Sequence, residues 1–369
     1  MIDEEHFIET WYAVKVLCSK NGNSLYFELT FLYNSIREIQ EKKMNQLSLC
    51  PLLALCLILI PTQKSFARSS KERRADPIEY SKKMTARIAL GKIEYFIESK
   101  KGAGPKHDAD CEDGIFFNDR FLVVIDGATD KSGRTYGPQK KKGGRIASEL
   151  ICRAFRELPP GADRETILKR IQMYFKAFHN RHGNVDFVGK PHFRPTACVI
   201  WFDLERNELV ALGDCKARID GKVFNDEEKL VDLLNAGFRK TVINKLGQSD
   251  RDVQESDLGR SYIMPLLKAQ GRYQNNPEAP EAFQYWVIDG FPIPQEKVLS
   301  WSFSKAPEVV ELSSDGYLTF PEKLEITSYE SALTDALKKD PLRIGANPST
   351  KGLTAGKKSF DDRAVLIFR

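Results

Sequence analysis

The chain has 369 residues, 41% of them hydrophobic and 29% charged, with 56 basic against 51 acidic side chains and a formal net charge of +5. That is the make-up of a globular protein, not of a disordered or fibrous one. The near-balance of charge, with basic runs confined to 71–74 and 140–142, argues against a dedicated nucleic-acid binder, whose basic residues gather on one face.

Residues 1–43 mix aromatic, acidic and basic side chains in no pattern to which a role attaches. From Met44 the sequence reads MNQLSLCPLLALCLILIPTQKSFARSS. Its apolar run, 47–61, is shorter than the roughly 20 residues needed to span a bilayer. It has the length of a signal-peptide core, and Ser65-Phe66-Ala67 supplies a small-x-small cleavage site. Lys42 and Lys43 lie just upstream of Met44, and no Lys or Arg lies between Met44 and the run. The expectation is that Met44 is the true start and that 44–67 is removed. The product is then exported, periplasmic or secreted, without stable membrane insertion. If 44–67 is instead an anchor or a buried helix, the protein is membrane-anchored or cytoplasmic.

Of the seven cysteines, Cys18, Cys50 and Cys56 precede the expected cleavage site. Cys111, Cys152, Cys198 and Cys215 show no CxxC spacing, and the last two sit in apolar, strand-like runs where cysteine serves as a small buried hydrophobe.

After a polar linker, 68–82, one domain is expected over 83–369. Residues 85–99 read as a strand or strand pair, and 114–127 as a hairpin turning at Asn118-Asp119. Residues 143–158 carry a helical face of Ile146, Leu150, Ile151 and Ala154 after two glycines. A second amphipathic helix, 163–182, has Asp163 as its N-cap. Two or three strands follow in 196–220, then helices over 227–245 and 258–270. Residues 282–290, 298–303 and 308–316 read as strands, 329–340 as a helix and 361–369 as a final strand, with no long structureless linker beyond residue 83. Strands follow strands and helices come in pairs, which favours antiparallel sheets over an alternating parallel one.

Several of these strands end or begin on acids. Residues 123–125 run into Asp126-Gly127, 309–314 into Asp315-Gly316, and 209–212 into Gly213-Asp214. Asp361-Asp362 open the last strand, and Glu112-Asp113 precede 115–117. Any one such pair is an ordinary turn. If the strand ends meet on one side of a sandwich, however, the gathered carboxylates must protonate or bind cations. Oxygen donors select Mg²⁺ or Mn²⁺ over Zn²⁺. Two such ions about 4 Å apart would share a water, acidify it and aim it at phosphorus.

The order of these acids resembles that of the metal-dependent protein phosphatases, the type 2C serine/threonine family. The resemblance runs from about Arg87 to the C-terminus. It is carried by CEDG (111–114), VVIDGATD (123–130), GGRIAS (143–148), TACVIWFDLERNELVALGDCKARI (196–219), YWVIDGFPI (285–293), VELSSDG (310–316) and SFDDRAVLIF (359–368). It implies an α+β fold, a four-layer α-β-β-α sandwich of two mainly antiparallel sheets flanked by helix pairs. Asp126 would bridge two metals, and the Gly127 carbonyl would touch one of them. Asp315 and Asp361, rather than Asp362, would complete one shell. Glu112 would hold the other ion, with Asp113 beside it, and Asp214 would be an outer ligand of a third, weaker site. Asp126, Asp315 and Asp361 would be the catalytic residues.

The sequence departs from the family pattern at three places. Asp108 stands where an arginine often grips phosphate, leaving Lys106, His107 and Arg134 as candidates for that role. Ala128, followed by Thr129, stands where many members carry histidine, and Asp362 replaces an asparagine. The implied function is Mn²⁺- or Mg²⁺-dependent hydrolysis of phosphoserine or phosphothreonine in a protein substrate, by a monomer. The alternative is a phosphatase-like binding module of weak or no activity. His179, His182 and His192 lack a Cys or Glu to complete a zinc site, and KKKGGR (140–145) lacks the Lys-Ser/Thr of a P-loop.

Overall fold

The computed structural model describes residues 78–369 except 130 and 227. Residues 1–43, the segment 44–67 expected to be a signal peptide, and the linker up to residue 77 lie outside the described residues. Strands β1 (Met84–Ile88) and β2 (Gly91–Glu98) form a hairpin, followed by a short helix, α1 (Pro105–Asp110). Next come β3 (Gly114–Phe117) and β4 (Phe121–Gly127), a small ribbon of β5 (Thr135–Tyr136) and β6 (Lys141–Lys142), and helices α2 (Gly143–Arg156) and α3 (Arg164–Arg181). Asp163 caps α3 as expected, its carboxylate accepting the Thr166 N–H at 2.8 Å. Strands β7 (Ala197–Asp203), β8 (Glu208–Leu212), β9 (Lys216–Ile219) and β10 (Lys222–Phe224) lead to helices α4 (Leu230–Leu246), α5 (Asp250–Glu255) and α6 (Leu258–Ala269). The chain closes with β11 (Leu299–Ser302), β12 (Val310–Ser313), α7 (Ile326–Lys339) and β13 (Arg363–Phe368).

Two antiparallel sheets result, one ordered β1-β2-β13-β12-β9-β10 and the other β11-β8-β7-β4-β3. Alternation along each strand divides the apolar side chains between layers. Ile93, Ile97, Leu312 and Leu366 of the first sheet meet Leu122, Val124, Ile200 and Phe202 of the second in the central core. On the other face of the second sheet, Val123, Ile125, Val199 and Trp201 pack under α2 and α3. Phe96, Val365 and Ile367 of the first sheet pack under α7 through Tyr329, Leu333 and Leu337. This is the two-sheet α+β sandwich with flanking helices that the sequence implied. α4 and α6 pack on each other, and Ile243 of α4 joins Val253 and Leu342 in a small separate core.

Three local expectations are corrected. The buried face of α2 is Ala147, Ile151, Ala154 and Phe155, while Ile146 and Leu150 turn toward a side cluster around Tyr136. The two alanines let the helix lie close to the sheet, which a face centred on Ile146 and Leu150 would prevent. Residues 282–290 form no regular strand but make isolated bridges at Tyr285 and Ile288. Here the Asn275 side chain takes the place of a neighbouring strand, donating to the Val287 carbonyl at 2.8 Å and accepting its N–H at 3.0 Å. Finally, residues 340–362 form a long connection without helix or strand, contrary to the expectation of none beyond residue 83.

Candidate metal centre

The sandwich brings one end of each acid-bearing strand to the same rim. In β4, Leu122 and Val124 face the central core, so Asp126 two residues on faces the space between the sheets. In register it lies opposite Cys198 of β7. Asp214 follows β8, Asp315 follows β12, Asp361 and Asp362 precede β13, and Glu112 and Asp113 precede β3. Packing at Gly127 admits no side chain, because a Cβ there would run into the carbonyl oxygens of Glu112 and Gly144. Gly213 has φ 87°, a conformation glycine adopts freely, and its bare Cα faces the Cys198 thiol. Oxygens of Asp126 and Asp214 and the sulfur of Cys198 lie within 4.8 Å of one another.

The two C-terminal acids have different surroundings. Asp362 accepts the backbone N–H of Lys100 on Oδ1 and that of Glu112 on Oδ2, both at 2.8 Å. Asp361 instead receives ammonium groups, Lys100 at 3.1 Å and Lys351 in a close ion pair. Lys100 also stands 3.9 Å from Glu112, whose Oε2 accepts the Thr129 hydroxyl at 2.8 Å. Asp214 pairs through Oδ2 with Lys229 at 2.8 Å.

The rim keeps unused acceptors nonetheless. Glu112 Oε1, Asp113 Oδ2, Asp214 Oδ1 and Asp315 Oδ1 are buried without a hydrogen-bond partner. Burial, then the neighbouring Asp315, Asp113 and Asp214, pushes the Asp126 carboxyl well above its ordinary range. Burial and Asp362 do the same to Asp113. Burial and Asp214 raise Asp315, against the pull of Lys351, Lys229 and Arg343. Burial would raise Asp214 too, but the Lys229 ammonium and the Cys198 thiol outweigh it and bring the carboxyl down to about 2. Burial and Asp214 push the Cys198 thiol up. Four buried carboxylate oxygens without partners against a single sulfur make an oxygen-dominated rim, which fits a hard divalent ion, Mg²⁺ or Mn²⁺, better than Zn²⁺.

The Asp289-Gly290 pair shows what an occupied carboxylate looks like. Asp289 is fully buried and accepts from Arg194 at 2.9 Å, Gln274 at 2.7 Å, Asn275 at 2.7 Å and the Phe291 N–H at 2.9 Å. Its role is structural, although in sequence it resembles Asp126 and Asp315.

The phosphate candidates are placed variously. Lys106 is exposed on α1, near Asp110, and His107 is half-buried on the same helix. Arg134 is exposed and lies 4.6 Å over the Phe193 ring. The cations found against the acids are Lys100, Lys351 and Lys229, none of them singled out by sequence. The only available signal was position: Lys100 directly follows β2 and Lys351 lies within the connection that leads to Asp361. Among the histidines, His182 Nδ1 meets the Phe178 carbonyl at 3.0 Å and His179 stacks on Phe187, and no metal-ligating group includes either among the described residues.

Fold and rim together make this a two-sheet α+β sandwich with an acid-lined edge. Among solved structures, the chain is similar to the serine/threonine phosphatase PstP/Ppp of Mycobacterium tuberculosis, at 16% identity over 75% of this chain and 97% of that one, with a TM-score of 0.36. It is similar to the serine/threonine phosphatase Stp1 of Staphylococcus aureus, at 13% identity over 79% and 98% of the two chains, with a TM-score of 0.38. It is also similar to RsbX, solved in complex with magnesium, at 12% identity over 78% and 99%, with a TM-score of 0.37. No protein-family profile and no curated protein sequence matches the chain.

Proposed function

We propose that the protein is a metal-dependent phosphomonoester hydrolase acting on phosphoserine or phosphothreonine in proteins. One observation carries this reading: four buried carboxylate oxygens from Glu112, Asp113, Asp214 and Asp315 lack any partner at one rim. Unpaired buried acceptors of this kind are costly unless a cation completes them. Asp126, Asp315 and Asp361 would hold one divalent ion, Asp126 and Glu112 a second, with Asp113 behind them and Asp214 serving a third, weaker site. When bound, Mn²⁺ or Mg²⁺ supplies an acidified water and neutralises charge on phosphoryl oxygens. The chain's own contribution is to fix the donors. Thr129 orients Glu112, and Asp362 ties the backbone of Lys100 to that of Glu112. We further place the mature protein outside the cytoplasm on the strength of 44–67, which N-terminal sequencing tests.

A second reading, a silent binding module, is favoured by Lys100 and Lys351, which give Asp361 internal counterions. Hydrolysis of p-nitrophenyl phosphate as a function of Mn²⁺, with Asp126→Asn and Asp315→Asn as controls, decides between them. Turnover that needs Mn²⁺ and vanishes in both variants is expected for the hydrolase. A folded wild-type protein inert across Mn²⁺ concentration and pH is a binding module.

A further inference from the structure

Arg343 lies on the long connection 340–362, with its backbone in the left-handed region at φ 53°. A residue with a side chain holds that conformation at a cost, and such positions cluster at binding sites. The residue is only 7% exposed. Its Nε donates to the Asn347 carbonyl at 2.7 Å, the guanidinium lies 4.2 Å over the Phe360 ring, and Nη1 is buried with no partner.

Arg343 lines a cavity of about 170 Å³ that opens beside Asp214 and Asp315. Three lysines share that lining, and each already has a counterion: Lys351 pairs with Asp361, Lys229 with Asp214 and Lys216 with Asp226. Arg343 makes no such pair among the described residues, and the acids Asp315, Asp340 and Glu228 act on it only at longer range. A nearly buried cation with an idle donor, held in a strained backbone at the edge of the acid rim, lacks an anion. A guanidinium fork suits phosphoryl oxygens, which accept two parallel N–H bonds.

We propose that Arg343 is an oxyanion anchor, binding the phosphoryl group of the substrate and the phosphate product in the cavity beside Asp315. From the preceding reading this takes only the identity of the anion. The assignment places the grip on the C-terminal connection, 18 residues before Asp361, and not on α1 or at Arg134.

The test is calorimetric titration of inorganic phosphate into the full chain in the presence of Mg²⁺, using wild type, Arg343→Gly, Arg343→Met and Asp126→Asn, with melting curves for each. Glycine accepts φ 53° without strain, which offsets part of the lost contacts to Asn347 and Phe360, so Arg343→Gly should melt only slightly below wild type while binding phosphate about ten- to a hundredfold more weakly. Arg343→Met, which keeps the aliphatic stem but removes the guanidinium over Phe360, should lose the same affinity. Phosphate affinity unchanged in both Arg343 variants, or no phosphate binding by wild type, overturns the proposal. So does a glycine variant that melts as far below wild type as a purely structural arginine would require. Loss of binding in the Arg343 variants but not in Asp126→Asn upholds the anchor and removes the metal reading; the reverse pattern removes the anchor and keeps the metal reading.

Discussion

The Asp362 carboxylate accepts the backbone N–H of Glu112 at 2.8 Å, and its other oxygen accepts the N–H of Lys100 at the same distance. One buried side chain therefore ties the end of β2 to the segment entering β3, and both donors depend on it. Its neighbour Asp361 takes no backbone N–H but its own successor's, that of Asp362 at 3.0 Å, and otherwise meets lysine ammonium groups. The two acids should respond differently to removal. Asp362→Ala leaves two buried N–H groups unsatisfied and should cost roughly 2–5 kcal/mol of stability. Asp361→Ala strands the Lys100 and Lys351 ammonium groups and should cost a comparable amount in metal-free protein. On the proposed ligand set, Mn²⁺ should raise the melting temperature of wild type but not that of Asp361→Ala. Melting curves with EDTA and with Mn²⁺ check both, and an equal Mn²⁺-dependent rise in wild type and Asp361→Ala would remove Asp361 from the ligand set.

Crowding of acids at the rim has a pH signature. The Asp126 carboxyl is raised above its ordinary 3.8 by burial and then by Asp315, and Asp113 and Asp315 are raised as well. A raised folded-state value means that the folded chain binds protons the unfolded chain has released. The stability this contributes is full below about pH 3.8 and is lost as pH rises through the folded-state values. Metal-free wild type should therefore lose stability from about pH 4 upward relative to Asp126→Asn, which carries one acid fewer. Bound Mn²⁺ should remove that difference. Melting temperature against pH in EDTA, for the two proteins, measures it directly.

Much of the frame was legible because strand alternation is strict. The strands at 121–127 and 197–203 bury every second side chain against a different layer, and the acid at 126 falls on the inter-sheet side by parity alone. The pairing of Asp361 and Asp362 was legible only in outline, since which of two adjacent acids takes backbone donors depends on where β2 and β3 lie in space. Asp289 shows the same limit from the other side. Its Asp-Gly context matches that of Asp126, but Arg194, Gln274 and Asn275, distant in sequence, occupy its oxygens. Lys100, Lys351 and Arg343 were invisible because they sit in connections without periodicity. The segment 282–290 misled because an apolar run bonded by an asparagine side chain looks like a strand in composition.

The cysteines of the described residues should be chemically quiet. Burial pushes the Cys152 thiol up to about 12, and burial also raises Cys111, Cys198 and Cys215 well above the ordinary range. Thiolate, the reactive form, is then scarce at neutral pH. Alkylation of native protein at pH 7.5, read residue by residue by mass spectrometry, should leave these four largely unmodified until denaturant is added. Cys111→Ala and Cys152→Ala should retain turnover. Rapid labelling of Cys198 in the native state would mean a thiolate beside Asp126 and Asp214, and with it a softer metal site than the oxygen donors imply.

Lys229 and Asp214 give the outermost test of the rim. The ammonium holds Asp214 ionised, down to about 2, and leaves its Oδ1 without a partner. Replacing Lys229 by Met removes the counterion, whose Nζ also lies 5.4 Å over the Tyr285 ring, but keeps the aliphatic stem. In metal-free protein this should cost about 1–3 kcal/mol, less than for a fully buried pair because both side chains keep some contact with water. Both Asp214 oxygens then become available to a cation, and Mn²⁺ stabilises by mass action wherever it binds the folded state alone. The gain in melting temperature on adding Mn²⁺ should accordingly be larger for Lys229→Met than for wild type, and that excess should vanish in Lys229→Met combined with Asp214→Asn. An equal gain in wild type and Lys229→Met would confine Asp214 to its ion pair and remove it from the metal-binding set.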